Sequence, residues 1–202
     1  MLTITLADYG VGNLHSLKKS LENCGAKVIV ATDMKDLLDA ECIAFPGVGA
    51  FDKTMDKLLP YREKILEKLK AGTPCIGICI GAQILMQGSE EGTLPGIGVI
   101  EGKVIKLKAE RIPQMGWNTV ETTDPLFDGI ESRHFYFAHS YHGDPTEKDV
   151  IKGTTEYEGV VIPTLFRKWN TVGCQFHPEK SSTSGMIFLR NFIRFAEGCL
   201  CR

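Results

Sequence analysis

The stretch Thr73-Pro74-Cys75-Ile76-Gly77-Ile78-Cys79-Ile80-Gly81 decides how this chain is read. Residues 73–78 form a continuous apolar run, the pattern of a strand buried on both faces of a parallel sheet. The run passes without a linker into a helical pattern from about Ile80 to Gln87, so strand and helix meet at Cys79. Glycines two before and two after a residue at such a junction mark a nucleophile elbow. The turn is tight, and side chains at those two positions would strike it or the neighbouring backbone. The elbow sets the Cys79 sulfur at the N-terminus of the following helix, where free N–H groups and the helix dipole favour thiolate, the reactive form. The N–H of Ile80 is placed to donate to an oxyanion. A lone cysteine is more often a buried structural residue; the two glycines and the strand-to-helix setting reverse that reading here. Cys75, four residues upstream on the same strand, is poorly placed for a disulfide with Cys79.

Upstream of the elbow, apolar runs alternate with helical patterns. Residues 2–7 read as a strand, followed by the turn 8–13; Asn13 can cap a helix carrying Leu14, Leu17, Leu21 and Cys24, with Gly25 as its stop. Residues 27–31 are a second strand, 33–40 a short helix and 42–45 a third strand ending at Pro46-Gly47-Val48-Gly49. Helical patterns over 50–59 and 61–70 are divided by Pro60 and closed by Gly72. This alternation predicts an α/β fold, an open, mostly parallel doubly wound sheet. Ligands bind beyond the carboxyl ends of such strands, so the turns 8–13, 46–49 and 77–81 share one face. There the N–H groups of Gly47, Val48 and Gly49 supply a second oxyanion donor. Downstream, 97–108, 116–122, 133–141, 150–157, 159–167 and 171–176 read as short strands with antiparallel pairing, an extension of the sheet, and 183–196 as a closing helix. No Pro/Gly/Ser-rich linker and no repeat interrupts residues 1–202, which read as one domain.

A cysteine nucleophile needs a base, which is often remote in sequence. Gln175-Phe176-His177-Pro178-Glu179 provides it: His177 ends a predicted strand that Pro178 stops, and Glu179 can fix the imidazole from its other nitrogen. Alone, that segment is an ordinary turn; joined to the elbow it completes a Cys79–His177–Glu179 triad. Gly10-Val11-Gly12 is half a dinucleotide fingerprint, but His15 stands where the third glycine belongs. His139 and His142, three apart on one predicted strand, face opposite sides, and no Cys/His spacing matches a zinc site. Neither cofactor nor metal is expected.

Composition excludes whole classes. The 202 residues carry 23 Lys+Arg against 25 Asp+Glu, a net charge of −2, without the clustered basic face of a nucleic-acid binder. The longest apolar stretch, Pro74 to Met86, is too short for the roughly 20 residues of a membrane span. Residues 1–9 lack the features of a signal peptide. Seven cysteines, an odd number with no regular framework, read as reduced thiols in a cytoplasmic setting.

With Gly77-Ile78-Cys79-Ile80-Gly81 and Gln175-Phe176-His177-Pro178-Glu179 together, the chain resembles the class I (triad) glutamine amidotransferases. The runs 8–16 (DYGVGNLHS), 46–51 (PGVGAF), 100–104 (IEGKV), 113–118 (PQMGWN), 136–141 (YFAHSY) and 153–157 (GTTEY) extend the likeness over essentially the whole chain. They narrow it to members that feed ammonia to a cyclase closing an imidazole ring. The resemblance implies a glutaminase: Cys79 attacks the glutamine side-chain amide, His177 moves protons and Glu179 orients it. It places Gln83, Glu91, the backbone of Ser140 and Tyr141, and residues 47–49 against the substrate. It implies a heterodimer with a (β/α)8-barrel cyclase subunit, with Asn13, Trp117, Asn118 and Tyr136 at the interface. Ile80 and Ala82 depart from the commoner elbow residues without touching the chemistry. The alternatives are a glutaminase for another ammonia-channelling synthase or a non-catalytic partner-binding module on the same fold.

Overall fold

The computed structural model describes residues 1–10, 14–47 and 49–201. The expectations attached to Asn13 and Val48 lie outside them. The first half runs β1 (Thr3–Ala7), α1 (Leu14–Asn23), β2 (Lys27–Ala31), β3 (Cys42–Phe45), α2 (Phe51–Leu58), α3 (Arg62–Lys70), β4 (Cys75–Ile78) and α4 (Ile80–Gln83). It continues through β5 (Gly88–Ser89), β6 (Gly102–Lys106), β7 (Gln114–Thr119), β8 (Glu121–Thr122), β9 (His134–His139), β10 (Tyr141–Pro145), β11 (Ile151–Tyr157), β12 (Val160–Lys168), β13 (Thr171–Cys174) and α5 (Ser182–Leu200). Residues Met34–Asp39, read as a short helix, form a 3-10 turn capped by the Asp33 side chain, which accepts from the Lys35 N–H.

Eight strands form the main sheet in the order β2-β1-β3-β4-β13-β12-β11-β8. The strands from β2 to β13 are parallel, and β12, β11 and β8 continue antiparallel. The fold is therefore the expected mostly parallel α/β sheet with an antiparallel extension, with one correction. Strand β13 does not belong to the extension: it pairs in parallel with β4, Thr171 opposite Cys75 and Cys174 opposite Ile78. Its burial on both faces (all four residues) fits a central parallel position. Pairing direction is a property of the partner strand, which a period-2 pattern cannot reveal.

Both faces of the sheet are covered. One apolar cluster joins Leu17 and Leu21 of α1 to Phe188, Leu189 and Phe192 of α5, with Phe127, Phe135 and Phe176 meeting Phe188 edge-on. The other packs Phe51, Met55 and Leu58 of α2 and Ile65 and Leu69 of α3 against Ile43, Phe45 and Cys75. This opposite-face arrangement leaves the carboxyl ends of β3, β4 and β13 meeting at one rim.

Two expectations fail for a shared reason. The helix expected to run from Ile80 to Gln87 ends at Gln83, and the strand expected over 97–108 is confined to Gly102–Lys106. The carbonyls of Ile84, Leu85 and Met86 accept from the N–H groups of Ile97, Ile100 and Gly98 at 2.7, 2.9 and 3.1 Å. Each segment thus satisfies the other's backbone, and neither needs regular structure of its own. His139 and His142 also do not share a strand: β9 ends at His139, and His142 lies in β10, which pairs with β6 in a separate sheet.

Candidate functional site

The elbow is held by close backbone approach. Cys79 adopts φ 50°, ψ −107° between β4 and α4, a conformation costing a non-glycine residue about 1–3 kcal/mol. A Cβ on Gly77 would collide with the Gly81 carbonyl, and one on Gly81 with the Phe45 carbonyl at the end of β3. The two glycines let α4 turn back against both strands, which fixes the direction of the Cys79 side chain. The Cys79 N–H donates to the Cys174 carbonyl at 2.7 Å, so β4 and β13 stay paired up to the elbow.

That pairing brings the histidine in. Beyond β13 the chain continues through Gln175 and Phe176 to His177, whose N–H donates to the Tyr136 carbonyl at 2.8 Å. Its Nδ1 lies 2.8 Å from Glu179 Oε1, and both side chains are buried. On its other side the ring feels Cys79, whose sulfur raises its pKa more than any other neighbour. Burial alone would lower the pKa of His177; the Cys79 sulfur, and then Glu179, overcome burial and push the value up to about 10. Because folding raises this pKa, the charged ring stabilises the fold fully below its ordinary 6.5, and the contribution is lost as pH climbs through 10. The Cys79→Ala variant removes the largest raising cause, so NMR titration of His177 is expected to show a pKa lowered by about 1 unit or more. An unchanged titration would contradict the pairing.

The other interior thiols are chemically quiet. Burial pushes the pKa values of Cys42, Cys75 and Cys174 upward. Cys79 differs in opening onto a cleft of about 350 Å³. Gly47, Gly49, Ile80, Gln83, Glu91, Ser140 and Tyr141, all expected against a substrate, line the same cleft. Gly47 is pressed so close that a Cβ there would stand 2.9 Å from the Ile78 carbonyl oxygen and 3.1 Å from His177 Cε1. Its turn is therefore in van der Waals reach of the histidine. Gln83 is buried, and its Nε2 donates to the Tyr141 carbonyl at 2.8 Å and to Gln175 Oε1 at 3.2 Å. With both hydrogens engaged, Gln83 has only its oxygen to offer a ligand.

Several neighbours carry no sequence expectation. Gln175 Nε2 donates to Cys79 Sγ at 3.5 Å, a contact that the sequence motif around His177 does not announce. Pro113, Met115, Ala138 and His139 also line the cleft. His139 stands between the Tyr141 carbonyl (2.9 Å from Nδ1) and the Gln114 side chain (2.8 Å from Nε2). Desolvation pushes its pKa down to about 4, so it holds the cleft wall as a neutral ring. Only an unassigned run (PQMGWN) pointed toward Pro113 and Met115.

Beside the cleft, β7 and β9 form a two-stranded ribbon with Trp117 opposite Tyr136. Met115 and Trp117 are 67% and 55% exposed, unusual for large apolar side chains on adjacent same-face positions. The Trp117 ring meets Tyr136 edge-on at 6.2 Å, and Tyr136 meets His177 at 6.4 Å. Asn118 turns away and donates to the Glu156 carbonyl at 2.8 Å. Among the described residues no three His, Cys, Asp or Glu side chains converge as a metal site, and no helix is long and apolar enough to cross a membrane.

The family model of class-I glutamine amidotransferases matches residues 5–195. Curated relatives include the imidazole glycerol phosphate synthase subunit HisH 1 of Methanococcus maripaludis, 44% identical over 200 residues, covering 94% of this chain and 98% of that protein. The subunit HisH of Pyrococcus furiosus is 43% identical over 195 residues, covering 95% and 98%. Among solved structures, a glutamine amidotransferase superposes with a TM-score of 0.76 at 19% identity, covering 96% of this chain and 98% of that one. PurLQS from Thermotoga maritima superposes with 0.71 at 18% identity, covering 96% and 98%.

Proposed function

The chain belongs to the class-I glutamine amidotransferases, and on that premise we propose that it is the glutaminase subunit of imidazole glycerol phosphate synthase. The observation that carries the chemistry is the strained Cys79 at the strand end, electrostatically coupled to a buried His177 that Glu179 holds at 2.8 Å. Cys79 Sγ attacks the side-chain carbonyl carbon of glutamine. The charge arriving on the oxygen is met by the Ile80 N–H and the Gly47–Gly49 turn. As the intermediate collapses, the C–N bond breaks and His177 hands its proton to the departing nitrogen, which leaves as ammonia. A γ-glutamyl thioester remains on Cys79. Water then attacks the thioester carbon while His177 takes its proton; the C–S bond breaks, and glutamate leaves. Glu179 keeps the imidazole in the orientation both transfers need. Glu91 and the Gln83 oxygen suit the α-amino end of glutamine, and the backbone at Ser140 and Tyr141 completes the pocket.

The partner in this reading is a (β/α)8-barrel cyclase subunit that receives the ammonia and forms imidazole glycerol phosphate together with an aminoimidazole carboxamide ribotide. The exposed ribbon of Met115 and Trp117, in contact through Tyr136 with His177, supports that ribbon as the docking face. The two apolar clusters share one sheet, which supports residues 1–202 as a single domain; its working place in this reading is the cytoplasm, where cysteine thiols stay reduced.

The test is glutamate release from glutamine by the chain alone and in complex with the cyclase subunit and its nucleotide ligand. A free glutaminase would waste ammonia, so turnover is expected only in the complex. High activity in the isolated chain would contradict partner control, and none in any combination would favour a non-catalytic binding module.

A further inference from the structure

Asp52 is the second residue of α2, the helix that begins two residues after Gly49. Its carboxylate leaves its own helix and reaches the segment 91–94, on the Glu91 side of the cleft. There it accepts from the Thr93 N–H at 2.9 and 3.1 Å, from the Leu94 N–H at 3.0 Å and from the Thr93 hydroxyl at 3.3 Å. In return, Glu91 Oε2 accepts from the Phe51 N–H at 3.0 Å. Phe51 and Asp52 are chain neighbours, and Glu91 precedes Thr93 by two residues. The two carboxylates therefore cross, each satisfying backbone donors of the other's segment.

Gly92 supplies an independent sign that this clasp is built in. It does not have a positive φ, so the local backbone places no demand for glycine. A Cβ at position 92 would, however, fall directly on the Asp52 carboxylate. The contact that needs glycine here is the clasp itself. The two backbone N–H bonds also hold the Asp52 carboxyl below the usual carboxylate range, so it stays an anion wherever the protein is folded near neutrality.

Glu91 lines the cleft that holds Cys79 and Gln83, and one of its oxygens is committed to Phe51. We propose that Asp52 is a positioning residue for glutamine binding: by fastening Thr93 and Leu94 to the start of α2, it fixes Glu91 in the cleft wall. The inference rests on the glutaminase reading above and concerns how the substrate is held. It puts the effect of Asp52 on substrate affinity, because the clasp touches neither the Cys79 sulfur nor the His177 ring.

The experiment is steady-state glutaminase kinetics on the complex with the cyclase subunit, comparing wild type with Asp52→Ala, Gly92→Ala, their double variant and Asp52→Asn. Either single variant is expected to raise KM for glutamine about tenfold with kcat changed by less than about threefold, the signature of lost ground-state binding. The double variant is expected to be no worse than the poorer single one, since both changes break one contact. Asp52→Asn, which keeps one acceptor oxygen, is expected to fall between. Retained kcat shows that a variant is folded, and calorimetric glutamine binding to each variant in a Cys79→Ala background gives affinity without turnover. An unchanged KM and Kd in Asp52→Ala, a fall confined to kcat, or multiplying effects in the double variant would each overturn the clasp. The functional reading fails by a different result, namely a wild-type complex that neither binds nor hydrolyses glutamine, or a Cys79→Ala complex as active as wild type.

Discussion

Replacing Cys79 by alanine is expected to lower glutamine hydrolysis by about ten-thousandfold while the protein stays folded. No neighbouring group can substitute. Cys75 and Cys174 are fully buried with thiol pKa values raised by that burial, and His177 carries a proton that Cys79 helped to keep there. The elbow adds a second readout. Cys79 has a positive φ of 50°, which alanine tolerates no better than cysteine, whereas glycine adopts it freely. Cys79→Gly is therefore expected to be equally inactive yet more stable than Cys79→Ala by about 1 kcal/mol. Glutamate release in the cyclase complex and urea unfolding of the three proteins measure the two effects side by side. Equal stability of the alanine and glycine variants would mean that the elbow stores no strain. Residual turnover above about one per cent would remove Cys79 from the role of nucleophile.

Gly81→Ala is expected to be among the most damaging single methyl additions in the chain, costing about 3–5 kcal/mol. The added carbon would run into the carbonyl of Phe45, and backbone cannot rotate aside as a side chain does. Relief requires lifting α4 away from β3, which opens the sheet at Phe45, a fully buried residue of the second apolar cluster. Gly88→Ala is the matched control: a Cβ there meets nothing within 4 Å, so a change within about 0.5 kcal/mol is expected. Denaturant midpoints of the two variants decide it; similar midpoints would show that the elbow has slack.

The parts legible in the sequence are those whose cause is local. The glycines at 77 and 81 announce a collision with their immediate surroundings, and the alternation of apolar runs with helical periods announces the doubly wound sheet. His177 and Glu179 are two residues apart, so their pairing could be read directly. What escaped depends on partners distant in the chain. Strand β13 looks like the antiparallel strands before it until β4 is placed beside it. The irregular course of 84–100 follows from the two segments' bonding to each other. Gln175 meets Cys79 across 96 positions, and Asp52 meets Thr93 across 41. Neither contact leaves a mark at either end beyond a glycine at position 92 that no turn requires.

The place of β13 has a consequence in time as well as in space. During synthesis the chain emerges from its N-terminus, so β1, β2, β3 and β4 are complete while β13, which pairs with β4, does not yet exist. For all that interval β4 presents an apolar edge to the nascent chain's surroundings, the kind of edge that invites pairing with other chains. The protein's sheet is thus closed from the middle, and the strand that shields it is the same one that delivers the histidine. Maturation of the sheet and completion of the Cys79–His177–Glu179 group are a single event, so a partly made or partly refolded chain lacks the base that glutamine hydrolysis needs.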